Sequence, residues 1–223
     1  MSYLAQLVIY VASLAVGIVI HESSHALAAY ALGDQTARAR GRVSLNPLKH
    51  IDPFGTIILP LILIAAGGPV FAYAKPVPIH LNNLKHPKRD EVIISLAGPA
   101  SNLLLACLAA VILKLVFGRV LYGSGWDIAL ALYRGFTYFM TVNLSLAFFN
   151  LIPLPPLDGS SVLVVFLKGK ALQTYYQIQR YSMPILIVVL YILPELLGID
   201  LVGMYFRVTL YPVLNALLSF AIG

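Results

Sequence analysis

The chain has 223 residues, of which 60% are hydrophobic and only 11% charged. That excludes an ordinary soluble domain, in which about a quarter of the residues are charged, and several apolar runs reach the roughly twenty residues a membrane-spanning helix needs. The formal net charge of +6 is spread over the loops between those runs. It reads as topology charge in a protein surrounded by a lipid bilayer, and no nucleic-acid partner is expected.

The first span runs from about Leu4 to Leu32 and carries His21-Glu22-Ser23-Ser24-His25. Residues four apart share a helix face, so His21 and His25 can offer imidazole nitrogens to one metal ion. Glu22 beside them can serve as general base, which is the mechanics of the zinc hydrolase motif H-E-x-x-H. The competing reading is a chance match at a helix end, set against the rule that ionisable groups inside a span are functional by default. At 1.5 Å per residue, His21 lies about 26 Å past Leu4, near the far face of the membrane. The run is too long, and the motif too near its end, for a cleavable signal.

Gly33 and Asp34 end this helix. Arg38 to Arg42 reads as an extended interfacial stretch of alternating basic residues, and Val43 to Pro53 as a loop. Phe54 to Ala74 is apolar but broken by Pro60 and by Gly67-Gly68-Pro69. His50, His80 and His86 read as solvated loop histidines. Asp90-Glu91 begins a helix that runs through Gly98-Pro99-Ala100-Ser101-Asn102 to about Phe117. The next span covers about Ile128 to Leu151 and ends in the proline-stiffened Pro153–Gly159. Ser160–Leu167 is a short helix, and Lys168–Arg180 is amphipathic, with Tyr175, Tyr176 and Tyr181 read as an interfacial belt. Met183–Leu197 and Val202–Phe220 are the last spans. The single Cys107 excludes a disulfide framework and a cysteine metal site.

A catalytic zinc takes three protein ligands and leaves a fourth position for water. Among the nine carboxylates, most sit in turns where a solvated charge is the default. Asp158 follows a stiff segment directly after a span, beside Gly159; it could equally cap the helix that begins at Ser160.

HESSH on a first span, Gly98-Pro99-x-x-Asn102 on a later one, and Asn150-Leu-Ile-Pro-Leu-Pro-Pro-Leu-Asp158-Gly159 closing another resemble the site-2 protease family of intramembrane zinc metalloproteases. Gly41-Arg42-Val43-Ser44-Leu45-Asn46-Pro47 resembles its short bacterial and archaeal members. The resemblance implies one zinc per chain held by His21, His25 and Asp158, with Glu22 activating the water. It also implies that Asn150 lies near the active site, where its amide could assist an oxyanion or satisfy backbone freed at Pro153. Asn102 is expected to brace helix packing. Larger members carry PDZ or CBS modules, and no stretch of this sequence accommodates either.

The expected fold is an all-α polytopic membrane protein, with about five transmembrane helices and a re-entrant segment at 54–74. It forms one membrane-embedded protease domain over 1–223, with a core at 1–167 and C-terminal helices at 170–223. Re-entry puts Asp158 on the face that holds His21 and His25. It also puts eleven of the fifteen Lys and Arg there, the exceptions being Lys114, Arg119, Arg134 and Arg207. The positive-inside rule then makes that face cytoplasmic, with the N-terminus outside and the C-terminus inside, in the cell membrane of a prokaryote.

The activity expected is zinc-dependent hydrolysis of peptide bonds in or near transmembrane segments of protein or peptide substrates. The second hypothesis is a non-proteolytic metal-binding membrane scaffold or chaperone, against which the presence of Glu22 argues. Substrate identity and oligomeric state are not written in these motifs.

Overall fold

The computed structural model describes residues 3–58, 62 and 73–222, and among these every regular element is helical. Helix α1 spans Tyr3–Ala31 and the short α2 spans Thr36–Ala39. The long helices α3 (Pro87–Ser124) and α4 (Trp126–Asn150) follow. A 3-10 turn at Asp158–Ser161 leads into α5 (Val162–Phe166), α6 (Gly169–Ile178), α7 (Ser182–Ile187), α8 (Leu193–Leu197), α9 (Leu201–Val208) and α10 (Leu210–Ile222). Among the described residues, four helical stretches are long and apolar enough to cross a membrane: Tyr3–Ala31, Pro87–Gly123, Gly169–Leu197 and Leu201–Ile222. The architecture is that of an all-α polytopic membrane protein, because a bilayer satisfies no backbone group and a helix satisfies its own. Helix α4, with 25 residues, is about 37 Å long, enough to cross. Its Met140, Asn143, Leu144 and Ala147 are buried.

Helices α1, α3 and α4 pack on one another. Small residues let them approach. Ala106, Ala109, Ala110 and Leu113 of α3 form a buried stripe at helical spacing, against Met140 and Leu144 of α4 and Leu210 and Leu214 of α10. On α1, a Cβ at Gly17 would stand 2.7 Å from the Leu146 side chain.

Several boundaries and exposures differ from the sequence reading. Helix α3 starts at Pro87 rather than Asp90, since proline is well suited to a first helical turn. The Arg38–Arg42 stretch is not extended: Thr36–Ala39 is helical, and Arg42 is buried with its guanidinium donating to the carbonyls of Lys49 and Lys75. His80 and His86 are exposed as expected, but His50 is buried. Its Nε2 donates to the Ser44 carbonyl at 2.7 Å, and Ser23 of the HESSH motif donates to the same carbonyl at 2.7 Å. Loop 42–50 is thus strapped to the back of α1. Tyr175 is buried too, whereas Tyr181 is exposed.

Asp34 is not a solvated turn residue. It is fully buried and accepts from the Thr36 hydroxyl (2.6 Å), the Thr36 amide (3.0 Å), the His80 amide (2.7 Å) and the Asn83 side chain (2.8 Å). Burial pushes its pKa up, but these donors outweigh burial and hold it at about 2. The carboxylate ties the exit of α1 to the chain entering α3, and Ala29, Leu84 and Ile94 pack together beside it.

The apolar segment 54–74 has its ends side by side. The Tyr73 amide donates to the Gly55 carbonyl at 3.1 Å, and the Thr56 hydroxyl donates to the Tyr73 carbonyl at 2.9 Å. The chain therefore leaves and returns at one place; residues 59–61 and 63–72, the interior of the expected re-entrant segment, lie outside the described residues.

Candidate metal centre

His21 and His25 stand on successive turns of α1, both buried, with ring centroids 4.6 Å apart. Asp158 opens the 3-10 turn after α4, and the chain reversal through Pro153–Leu157 brings it back against α1. Its Oδ2 lies 3.1 Å from His21 Nε2 and 3.4 Å from His25 Nε2. The three atoms that could bind a metal ion lie within 4.8 Å of one another. Asp158 caps neither element that follows it: the cap position of the 3-10 turn falls on Leu157 and that of α5 on Ser161, each with no side-chain cap hydrogen bond.

Hydrogen bonding determines which imidazole nitrogens carry protons. His25 Nδ1 lies 2.7 Å from the Ile94 carbonyl, which can only accept, so Nδ1 donates. His21 Nδ1 lies 2.6 Å from Asn102 Oδ1. The Asn102 amide nitrogen donates to the Gly17 carbonyl at 3.1 Å and to Asn143 Oδ1 at 3.0 Å, so the atom facing His21 is the oxygen and Nδ1 donates here too. As neutral imidazoles both rings would turn Nε2 lone pairs toward the Asp158 carboxylate, and a proton on either Nε2 would instead be donated to it. Three such groups converging on one point suit a shared cation, whether a proton or a metal ion. Two imidazoles and one carboxylate are a donor set that suits zinc with an open fourth position.

Glu22 and Asn150 line the same cavity, about 380 Å³ in volume, with His21, His25 and Asp158. Asn150 Nδ2 donates to the Leu146 carbonyl at 2.9 Å, one turn back, so one of its two amide hydrogens is engaged locally. The opposite wall is Tyr73–Ile79, which has no regular secondary structure. A larger apolar groove of about 750 Å³, between the N-terminal half of α1 and helices α3 and α4, is lined by residues such as Ile9, Leu108 and Phe136 and carries no titratable group.

The turn that carries Asp158 is held from the C-terminal side. Ser160 Oγ donates to the Leu157 carbonyl at 2.7 Å and accepts from the Tyr175 hydroxyl of α6 at 3.0 Å, and Ser95 of α3 donates to Ser161 at 2.9 Å. A Cβ at Gly159 would stand 2.8 Å from the Ile152 carbonyl oxygen, so only glycine lets the turn fold onto the end of α4.

The five sequence-predicted site residues thus share one cavity. What the sequence reading missed is the bond from His21 to Asn102, and Asn143 behind it. A signal existed: Gly98 and Asn102 are one helical turn apart, so the face that makes room for the histidines also carries the amide. Asn143 is a fully buried amide within α4.

The model for peptidase family M50 matches residues 9–132 and 123–193 of the chain. YwhC of Bacillus subtilis is 37% identical over 210 residues, covering 92% of this chain and 85% of its own length. Rip2 of Mycolicibacterium smegmatis is 30% identical over 197 residues, covering 88% and 71%. Rip2 of Mycobacterium tuberculosis strain H37Rv is 28% identical over 198 residues, covering 89% and 72%. All three carry "zinc metalloprotease" in their names. No solved structure matches. The family model covers well over half of the chain, every residue that lines the cavity included, and the chain belongs to peptidase family M50.

Proposed function

We propose that this M50 peptidase is an intramembrane endopeptidase in which His21, His25 and Asp158 hold one zinc per chain and Glu22 is the catalytic base. The observation that carries the reading is the convergence of the two Nε2 atoms and the Asp158 carboxylate beside Glu22 in one cavity. When bound, zinc acts as a Lewis acid and brings the pKa of water to about 7. Glu22 takes the proton of the attacking water and returns it to the leaving amine. Asn150 has a second amide hydrogen to offer the developing oxyanion. A base among three ligands is of no use to a scaffold or chaperone, and peptidase-family membership disfavours that reading.

The substrates are transmembrane proteins or peptides. A helical peptide bond is shielded by its own turn, so the substrate must unwind before cleavage. The irregular wall at Tyr73–Ile79 is suited to receive an extended strand by β-addition. The basic residues that flank α1, α2 and α3 support a cytoplasmic-facing site in a prokaryotic cell membrane.

The test is cleavage of a tagged membrane peptide by purified protein, with zinc counted by elemental analysis. Wild type should hold about one zinc per chain and cleave. Glu22→Gln should keep the zinc and not cleave, and His21→Ala, His25→Ala and Asp158→Ala should each lose both. Cleavage by Glu22→Gln at the wild-type rate would end this mechanism.

A further inference from the structure

We infer that Asn102 and Asn143 form a relay across the bundle that orients His21 for metal binding, making Asn102 a positioning residue of the site. The inference rests on the ligand assignment just proposed. Both amides are fully buried, and every polar atom of Asn102 is paired. The chain of bonds has one direction. Asn143 Nδ2 donates to the Phe139 carbonyl at 2.9 Å, which leaves Asn143 Oδ1 as the acceptor for Asn102 Nδ2. The Gly17 carbonyl takes the other Asn102 hydrogen. Asn102 Oδ1 can therefore only accept, and the proton between it and His21 belongs to His21 Nδ1. An Asn102 amide turned by 180° would set Nδ2 against His21 Nδ1, driving the proton to Nε2, where the imidazole has no lone pair for a metal.

Packing alone does not require this arrangement. Three helices meet at Asn102: α1 through Gly17 and His21, α3 itself, and α4 through Asn143. A brace between them needs only the bonds to Gly17 and Asn143. The bond to His21 is the shortest of the set at 2.6 Å, and it selects the tautomer and fixes the ring plane. Outer groups of this kind typically change metal affinity 10–100-fold.

Zinc dissociation constants measured by chelator competition in detergent test the inference, with thermal unfolding of the zinc-free protein as the control for folding. Asn102→Leu removes the acceptor and should weaken zinc about 10–100-fold. Asn102→Asp loses the brace to Gly17 and Asn143 but keeps an acceptor for His21 Nδ1. It should hold zinc within a few-fold of wild type even where its unfolding temperature falls. Asn143→Ala frees the Asn102 amide to turn and should weaken zinc by an intermediate factor. Wild-type zinc affinity in Asn102→Leu, with His21→Ala losing zinc, overturns the relay and leaves the ligand set standing. Equal losses in Asn102→Asp and Asn102→Leu overturn it in favour of a brace. Retention of zinc by His21→Ala overturns the ligand set and the relay with it.

Discussion

Gly98 of α3 faces His21 of α1 so closely that a Cβ at position 98 would stand 2.6 Å from His21 Nε2, and it would meet His25 Nε2 as well. Both nitrogens also face the Asp158 carboxylate. The absence of a side chain at 98 is therefore what allows α3 to pass the Nε2 edge of the imidazoles. Pro99 follows within the same helix. Gly98→Ala would push the rings or the helix by a substantial part of an ångström. The expected result is a fall of about 100-fold in kcat/KM, the scale of a misplacement of about 1 Å, with unchanged helix content by circular dichroism. Full activity in Gly98→Ala would mean that the imidazoles sit elsewhere when the site works.

The Tyr175 hydroxyl links α6 to the turn that presents Asp158. Ser160 has its own proton engaged with the Leu157 carbonyl, so Tyr175 must be the donor to Ser160. Tyr175→Phe keeps the ring and deletes one buried hydrogen bond, which should reduce stability by about 1 kcal/mol. Because the turn carries a proposed ligand, zinc affinity should fall several-fold as well. Chemical unfolding and chelator competition on the same variant read the two effects. A stability loss without any change in zinc affinity would confine Tyr175 to holding the C-terminal helices.

The parts of the site legible in the sequence are those whose meaning is local. HESSH places its two histidines by helical repeat alone, and Gly159 announces close approach. What could not be read is what depends on partners far away along the chain. Asp34 looks like a turn residue after Gly33, yet two of its four donors come from His80 and Asn83, 46 and 49 positions on. His50 sits among prolines and lysines and still ends in the interior, where its Nε2 finds the Ser44 carbonyl and its own carbonyl accepts from the Lys75 amide, 25 positions on. The pairing of Asn102 with His21 spans 81 positions. Aromatic composition placed Tyr175 at the membrane interface, whereas a hydroxyl partner on the Asp158 turn draws it inside.

Asp34 should make stability depend on acid. Its folded pKa of about 2 is below its ordinary value of 3.8. A carboxyl lowered on folding contributes stability that is fully present above the unfolded value and is lost as pH falls through the folded value. Asp34→Asn removes that contribution and leaves the His80 amide facing an amide group. In detergent, the unfolding temperature of wild type should exceed that of Asp34→Asn by a constant margin at pH 5 to 7. The margin should narrow steadily between about pH 4 and pH 2. A margin independent of pH would show that the Asp34 hydrogen bonds do not discriminate between its charged and neutral forms.

The bonds between Gly55, Thr56 and Tyr73 bear on how the chain sits in the membrane. A segment whose two ends are hydrogen-bonded to each other cannot have one end on each face. The site makes the same demand independently: Asp158, after α4, must reach the level of His21 on α1, which fails if segment 54–74 crosses. Cysteine accessibility tests this directly. In a Cys107→Ala background, single cysteines replace Lys49 and Lys85, which flank the segment, and Tyr122 near the opposite end of α3; all three positions are exposed. An impermeant thiol reagent applied to intact cells should label Tyr122→Cys. Lys49→Cys and Lys85→Cys should be labelled only after the membrane is opened, as the positive-inside rule requires of the face that carries eleven of the fifteen basic residues. Labelling of Lys49→Cys and Lys85→Cys from opposite sides would make the segment a full span. The hydrogen bonds at Tyr73 and the convergence of Asp158 on the two histidines could not then both hold in the membrane.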